Sequence, residues 1–182
     1  IAAALVAAGY VRIGFDHYAL PNDPLQRAQA SGALRRNFQG YTSDSCETLI
    51  GFGASAIGRL PQGYVQNETV IRRYAEQTNQ DGLATARGYV LTDGDLLRAD
   101  IIERLMCDLE VDLSRAAEAH GASSWALADA MPRLQVLANE GLVQLDGARI
   151  RVPEKFRMLV RAVASVFDAH LATSSRTYSR AV

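Results

Sequence analysis

Side chains whose chemistry could be used together occur at two places in the first quarter of this 182-residue sequence. Asp16 and His17 form a carboxylate–imidazole pair, suited to proton handling or to substrate placement. Arg35 and Arg36 offer planar guanidinium groups, which meet carboxylates through paired hydrogen bonds. Phe38 and Gln39 follow in Arg35-Arg-Asn-Phe-Gln-Gly-Tyr-Thr-Ser43. That segment has no clean period, and its mix of charge, amide, aromatic and glycine is the content of a binding loop. Each candidate has a plainer reading as well. Asp16 and His17 can be a hydrogen-bonded structural pair, the two arginines a solvated pair, and Phe38 and Ile57 core residues. Cys46 and Cys107 are lone thiols far apart in sequence. They form neither a disulfide framework nor a metal-ligand cluster, and they read as small buried hydrophobes. His120 and His170 have no ligand-spaced partners, so no metal is assigned to them.

These residues need elements to hold them. Ile1–Gly9 has the pattern of a helix tail closed by a glycine, and a chain that starts in mid-helix without Met reads as a fragment. Tyr10–Phe15 reads as a strand after that helix, as in an α/β unit, with Asp16-His17-Tyr18-Ala19 at its carboxyl end. Leu25–Ala33 reads as a short helix. The apolar run Leu49–Gly58 predicts a buried strand, with glycines where a backbone or ligand comes close. Gly51 and Gly53 are not a dinucleotide fingerprint, because the third glycine and the following helix are missing. Asn67 predicts an N-cap, with Val70, Ile71 and Tyr74 on one face of a helix to Gly82. Ala86–Leu91 is a candidate strand.

From Thr92-Asp-Gly-Asp95 a helix runs to Cys107, with Leu97, Ile101 and Leu105 on one stripe. Leu113–His120 reads as a helix stopped by Gly121, Ser124 opens a short helical stretch, and Pro132 and Gly141 bound another helix. Trp125 is expected to anchor the core of this region. Asp146-Gly147 predicts the turn of a hairpin spanning Leu142–Val152. Pro153 predicts a long helix whose buried stripe is Phe156, Leu159, Val160, Val163, Phe167 and Leu171. The fold class is therefore α+β in two parts. Residues 1–92 carry the chemistry-bearing loops, and residues 93–182 form a mostly helical, winged-helix-like domain with a β-hairpin.

Nineteen basic residues against twenty acidic leave a net charge of −1. That balance argues against a chain built mainly for nucleic acid or for an anionic membrane. The 48% hydrophobic share is that of a globular protein. No apolar run approaches the roughly 20 residues of a membrane span, and a cytoplasmic location is the default. Charge is uneven, however. From Leu145 onward seven basic residues (Arg149, Arg151, Lys155, Arg157, Arg161, Arg176, Arg180) face three acidic ones, and the rest of the chain carries 12 against 17. With a winged-helix outline this is the case for DNA binding. The expected recognition helix, Pro132–Glu140, offers only Arg133, Gln135 and Asn139 as readers, which weighs against it.

Three blocks carry a resemblance: Ile13-Gly-Phe-Asp-His-Tyr-Ala19, Asn37-Phe-Gln-Gly-Tyr-Thr42 and Leu49-Ile-Gly-Phe-Gly-Ala-Ser-Ala-Ile57. Arg98-Ala-Asp-Ile-Ile-Glu-Arg-Leu-Met-Cys107, Phe167-Asp-Ala-His-Leu171 and Tyr178-Ser-Arg-Ala-Val182 extend it over nearly the whole chain. The sequence resembles the oxygen-independent coproporphyrinogen III oxidases, which are radical S-adenosylmethionine enzymes of haem synthesis. The related haem chaperones share the barrel but differ in the first two blocks, which favours the oxidase.

The resemblance implies the following expectations. The parent enzyme converts two propionates of coproporphyrinogen III to vinyl groups, giving protoporphyrinogen IX. A [4Fe-4S] cluster on a CxxxCxxC motif cleaves S-adenosylmethionine, and the resulting radical takes a hydrogen from the propionate β-carbon. A second S-adenosylmethionine is contacted at positions that correspond here to Phe38, Gln39 and Ile57. Arg35, Arg36, Asp16 and His17 are lesser candidates for substrate contact. This sequence has no CxxxCxxC. It therefore looks like a C-terminal piece, the last part of a radical-SAM barrel (1–92) followed by the C-terminal domain (93–182). Such a piece has no cluster ligands, no catalytic residue of its own and no activity alone. The parent is expected to be monomeric and cytoplasmic, without nucleic acid or membrane partners. A haem-binding chaperone and a winged-helix DNA-binding module remain the alternatives.

Overall fold

The computed structural model describes residues 1–171. The Tyr178–Val182 block, Arg176 and Arg180 therefore lie outside the described residues. Ile1–Ser43 groups with the chain from Asp93 onward in one unit, and Asp44–Thr92 forms a second. Every strand pairing among the described residues is antiparallel.

The first helix, α1 (Ala2–Ala7), ends as its glycine predicts. Gly9 takes φ +87°, its N–H donates to Val6 O, and the Tyr10 N–H donates to Leu5 O. These bonds satisfy two of the last helical carbonyls. The strand expected through Phe15 is shorter. β1 (Val11–Ile13) pairs with β2 (His17–Ala19), Ile13 facing His17. The break falls at Gly14, whose φ of +53° turns the chain back. Asp16 and His17 thus stand on a tight hairpin, not at the open end of a parallel strand. α2 (Pro24–Ala30) opens on Asp23, whose carboxylate accepts the Leu25 N–H at 2.8 Å. β3 (Arg35–Arg36) and β4 (Tyr41–Thr42) form a two-rung hairpin around Asn37–Gly40.

In the 44–92 unit, β5 (Ile57–Leu60) and β6 (Gly63–Asn67) lead to α3 (Ile71–Asp81) and β7 (Thr85–Val90), and the sheet order is β5-β6-β7. The expected buried strand over 49–58 is not formed. Leu49 makes one isolated bridge with Arg59, and Ile50 and Phe52 are 68% and 87% exposed. Positive φ at Gly53 and Ser55 interrupts the run. The glycines do mark close approach. A Cβ on Gly51 would lie 2.9 Å from Ile57 O, and one on Gly58 2.9 Å from Leu49 O. Asn67 ends β6 and does not cap α3. Its amide donates to Gly51 O at 3.1 Å and Gly53 O at 3.0 Å. Glu68 accepts the Val70 N–H at 2.9 Å, but the N-cap position is Val70 itself, which makes no side-chain cap bond. Val70 and Ile71 are exposed, and α3 buries no residue. Strand pairing and loop hydrogen bonds, not a core, hold this unit.

The core lies in the other unit. α4 (Asp93–Asp108) has two acids in its first turn, which suits the helix dipole. Leu97, Ile101 and Leu105 are essentially inaccessible, as their spacing predicts. β8 (Glu110–Asp112), α5 (Leu113–Ala119), the 3₁₀ turn Ser124–Leu127, α6 (Met131–Asn139), β9 (Gln144–Asp146) and β10 (Arg149–Arg151) follow. β10 is the middle strand between β8 and β9. This helix–strand–helix–helix–strand–strand order is that of a winged helix. Trp125 is 81% exposed and does not anchor the core; Leu127, at 2%, does. In a 3₁₀ turn with three residues per turn, positions two apart cannot both point inward.

Pro153 does not open one long helix. A 3₁₀ stretch (Glu154–Leu159), α7 (Val160–Ala164) and a second 3₁₀ turn (Ser165–Phe167) replace it. At the second junction the Ser165 hydroxyl bonds back to Ala162 O at 2.8 Å, a local bond that competes with helical pairing. Val160, Val163 and Phe167 are buried as predicted, while Leu171 is 40% exposed.

α4 serves two clusters. Its stripe packs with Val111, Leu134, Ile150, Val160 and Phe167, and Phe15 joins them from the N-terminal segment. Cys107 packs instead with Ile13, Ala19, Ala28 and Leu34. Among the described residues no helix is long and apolar enough to cross a membrane. Ile101→Ala should cost about 2–5 kcal/mol in urea unfolding. Ile71→Ala, on the exposed α3, should stay within about 0.5 kcal/mol.

Candidate functional site

Tyr41, on β4, gathers the first group of candidate residues. Its hydroxyl accepts the Phe15 N–H at 3.1 Å and donates to Met106 O on α4 at 2.7 Å. Gly14 leaves room for the ring, since a Cβ there would overlap Tyr41. The turn is also held from both sides. Gly14 N–H donates to Gln29 Oε1 at 2.8 Å, and the Arg157 guanidinium donates to Gly14 O. Arg157 in turn grips Glu154, which also takes Arg12.

The predicted residues fall around this ring. His17 meets Tyr41 edge-on, with ring centroids 5.0 Å apart, and its Nδ1 lies 2.6 Å from Asp16 Oδ1. The Arg36 guanidinium stands 5.6 Å from the Tyr41 ring centre and 5.9 Å from that of Phe15. Arg35 has a different partner, Glu103, whose Oε2 accepts its Nη1 at 3.1 Å. The other oxygen of Glu103 accepts the Arg36 backbone N–H at 2.8 Å. Asn37 shapes the tip between β3 and β4. Its Oδ1 accepts the N–H groups of Gln39 (2.9 Å) and Gly40 (3.2 Å), an Asx turn that presents Phe38 and Gln39 outward. Asp16, His17, Arg35, Arg36, Phe38 and Gln39 thus belong to one unit. Ile57 belongs to the other, half-buried at the start of β5 opposite Gln66.

Sequence reasoning missed Tyr41, Gly14 and Glu103 as organising residues. For Glu103 a signal existed: it is an acid inside the apolar stretch Ile101-Ile-Glu-Arg-Leu-Met106. Gly14 and Tyr41 stood inside the noticed blocks, but their mutual contact joins segments whose spacing carries no local pattern.

Among the described residues no group of three His, Cys, Asp or Glu could hold a metal ion. Cys107 is buried, and burial pushes its thiol up to about 12. Cys46 is exposed rather than buried. His120 meets Asp100 at 3.3 Å and His170 meets Asp95 at 2.8 Å. On the winged-helix face, Gln135 donates to Asn139 at 3.0 Å, and Arg149 pairs with Glu110 at 3.2 Å.

Burial also pushes the Tyr41 hydroxyl up, to about 12. Because the folded value is raised, this contribution to stability is complete below the ordinary value near 10 and is lost as pH rises towards 12. Tyr41→Phe leaves the Phe15 N–H and the Met106 carbonyl without this partner and should cost about 1–3 kcal/mol near pH 7. Unfolding followed from pH 8 to 12 should show the variant losing less stability over the alkaline range than the wild type.

Comparison with known proteins agrees with this architecture. Residues 91–159 match the HemN C-terminal domain. Over its full length the chain is 54% identical to an oxygen-independent coproporphyrinogen III oxidase of Bradyrhizobium diazoefficiens, of which it covers 40%. It is 38% identical over 177 residues to that of Escherichia coli, covering 96% of this chain and 38% of the relative. The solved structure of coproporphyrinogen III oxidase (HemN) from Escherichia coli, a radical SAM enzyme, superposes with a TM-score of 0.86. The match has 38% identity and takes in 93% of this chain and 39% of that one. The chain thus spans about two fifths of the length of these relatives. In sequence and in fold the chain is similar to part of the oxygen-independent coproporphyrinogen III oxidases, and its residues 91–159 carry the HemN C-terminal domain.

Proposed function

We propose that this chain is the C-terminal portion of an enzyme that oxidatively decarboxylates two propionates of coproporphyrinogen III to vinyl groups, giving protoporphyrinogen IX. The observation that carries this reading is 54% identity across all 182 residues to an oxygen-independent coproporphyrinogen III oxidase. Residues 1–92 would then close the radical-SAM barrel domain, and 93–182 would be the C-terminal domain. The family match that starts at residue 91 supports this division. The C-terminal domain's role is to help exclude water from a reactive centre. The intact enzyme is a cytoplasmic monomer in this reading.

The residues present do not fit a [4Fe-4S] cluster. Three thiolates are needed, whereas the chain has two cysteines, and burial keeps the Cys107 thiol protonated. The chain therefore cannot hold the cluster by itself, and alone it should not turn over substrate. Taken one by one, three side chains are each suited to a contact with S-adenosylmethionine. Phe38 presents a ring that is 54% exposed, Gln39 an exposed amide and Ile57 a half-buried aliphatic surface. An aromatic face and an aliphatic side chain suit adenine or the methionine stem, and an amide suits polar edges. When bound, S-adenosylmethionine supplies the hydrogen-abstracting group. Asp16, His17 and Arg36 lie towards the substrate in the same reading, whereas Arg35 is paired with Glu103.

The test uses the intact enzyme, reconstituted without oxygen and given coproporphyrinogen III, S-adenosylmethionine and a reductant. Loss of two molecules of carbon dioxide, read by porphyrinogen mass, is expected. Full iron and sulfide loading with no mass loss would overturn the reading and favour haem binding. Ile57→Asp should lower turnover about a hundredfold or more, with normal iron and sulfide content, because a carboxylate would be placed against the ligand. Wild-type turnover in that variant would remove Ile57 from the site.

A further inference from the structure

Arg35 and Arg36 are adjacent, yet only one of the two charges is matched. Glu103, whose side chain is 13% exposed, pairs with Arg35 through Nη1. Its second oxygen is taken by the backbone N–H of Arg36, not by the guanidinium. Among the described residues the Arg36 guanidinium makes no ion pair and donates no hydrogen bond, and its Nε is buried without a partner. The rings of Phe15 and Tyr41, at 5.9 and 5.6 Å, are its neighbours. Aromatic faces attract a cation but do not accept its in-plane N–H bonds. A half-buried guanidinium with open donors is unfavourable unless something else completes it.

The rings also set the shape of what can complete it. Phe15 and Tyr41 are themselves fixed, Phe15 by the main core and Tyr41 by its two hydrogen bonds. A guanidinium held between fixed neighbours presents a planar, two-donor edge. A carboxylate matches that edge with two oxygens.

We propose that Arg36 is the anchor for a carboxylate of the substrate. Glu103 and the Phe15–Tyr41 rings position it without neutralising it, and Arg35 has a structural part. This assignment rests on the reading that the intact enzyme acts on coproporphyrinogen III, a tetracarboxylate.

The experiment uses the intact enzyme in two measurements. Binding of fluorescent coproporphyrin III is compared with binding of its tetramethyl ester, and turnover is measured with coproporphyrinogen III. In the wild type the acid should bind about tenfold or more tighter than the ester. Arg36→Gln should weaken acid binding by about tenfold to a hundredfold, the loss expected for hydrogen bonds to a charged group. It should leave ester binding unchanged. Its KM should rise by a similar factor with kcat within about twofold, and Arg36→Lys should recover part of the affinity. A merely structural arginine would lower acid and ester binding alike. Equal binding of acid and ester by the wild type would overturn the assignment without any variant. So would acid binding by folded Arg36→Gln at the wild-type level. Competition by inorganic phosphate at concentrations that free carboxylates do not match would also overturn it, in favour of a phosphate site. Arg36-dependent binding of the acid by an enzyme that never decarboxylates would support the anchor while defeating the proposed activity. Normal decarboxylation with an unchanged KM in Arg36→Gln would defeat the anchor and leave the activity standing.

Discussion

The hydroxyl of Tyr41 joins three segments that are far apart in sequence. It accepts from the hairpin at Phe15, donates to α4 at Met106, and is carried on the hairpin that presents Phe38 and Gln39. A buried hydroxyl needs partners, and here both partners are backbone groups, so the bond fixes main-chain positions and not only a side chain. Its ring sets the geometry of the candidate residues as well. His17 packs on it edge-on, Arg36 stands beside it, and Gly14 is the residue type that leaves it room. Because each of these contacts refers to one ring, displacement of Tyr41 would move the acid–imidazole pair and the free guanidinium together.

α4 is what makes that ring stationary. One side of the helix builds the winged-helix core through Leu97, Ile101 and Leu105. Cys107 and the backbone at Met106 meet the N-terminal segment. Arg104 adds a polar tie, donating to Leu34 O at 2.7 Å, and Glu103 holds the strand that carries Arg35 and Arg36. A residue on this helix therefore affects both the stability of the C-terminal domain and the geometry of loops some seventy positions earlier. The 44–92 unit is organised differently. Its glycines let Leu49 and Ile57–Gly58 approach backbone to backbone, and Asn67 ties the loop at Gly51 and Gly53. Ile57 is held by sheet pairing, not by a core.

What could be read from the sequence follows from the range of the interactions concerned. The stripe of α4, the ends at Gly9 and Gly141, and the hairpin over Leu142–Val152 are set by neighbours a few residues away, and all three are found, although the hairpin's loop is Gly147-Ala148 and not Asp146-Gly147. Hydrophobicity alone misled where its partner was not local. Ile50 and Phe52 read as buried but are exposed, and Trp125 yielded the inner position to Leu127. β8 was overlooked because Glu110-Val-Asp112 is short and bears two acids; it becomes a strand by pairing with β10. At the site, Asp16, His17, Arg35, Arg36, Phe38 and Gln39 were visible as residue types. The distinction between Arg35 and Arg36 was not, since it depends on Glu103 pairing with the guanidinium of Arg35, 68 residues away.

The same limit governs the uneven charge of the chain. The basic excess after Leu145 suggests an electrostatic surface for an anionic polymer. In the fold several of those charges have acidic partners close by. Arg149 and Arg151 both face Glu110 on the strand next to theirs. Arg157 forks onto Glu154, holds that carboxyl below its ordinary range, and reaches Gly14 O. The Arg157 contact is the most consequential, because it ties the segment after the wing to the hairpin that bears Asp16 and His17. Exposed ion pairs such as Arg149–Glu110 contribute little each. A half-buried arginine that satisfies a turn carbonyl does more, since it fixes the main chain at the one place where Gly14 must admit Tyr41. The positive charge of the C-terminal region thereby becomes part of what orders the candidate site, whereas Arg36 has no such acidic partner among the described residues.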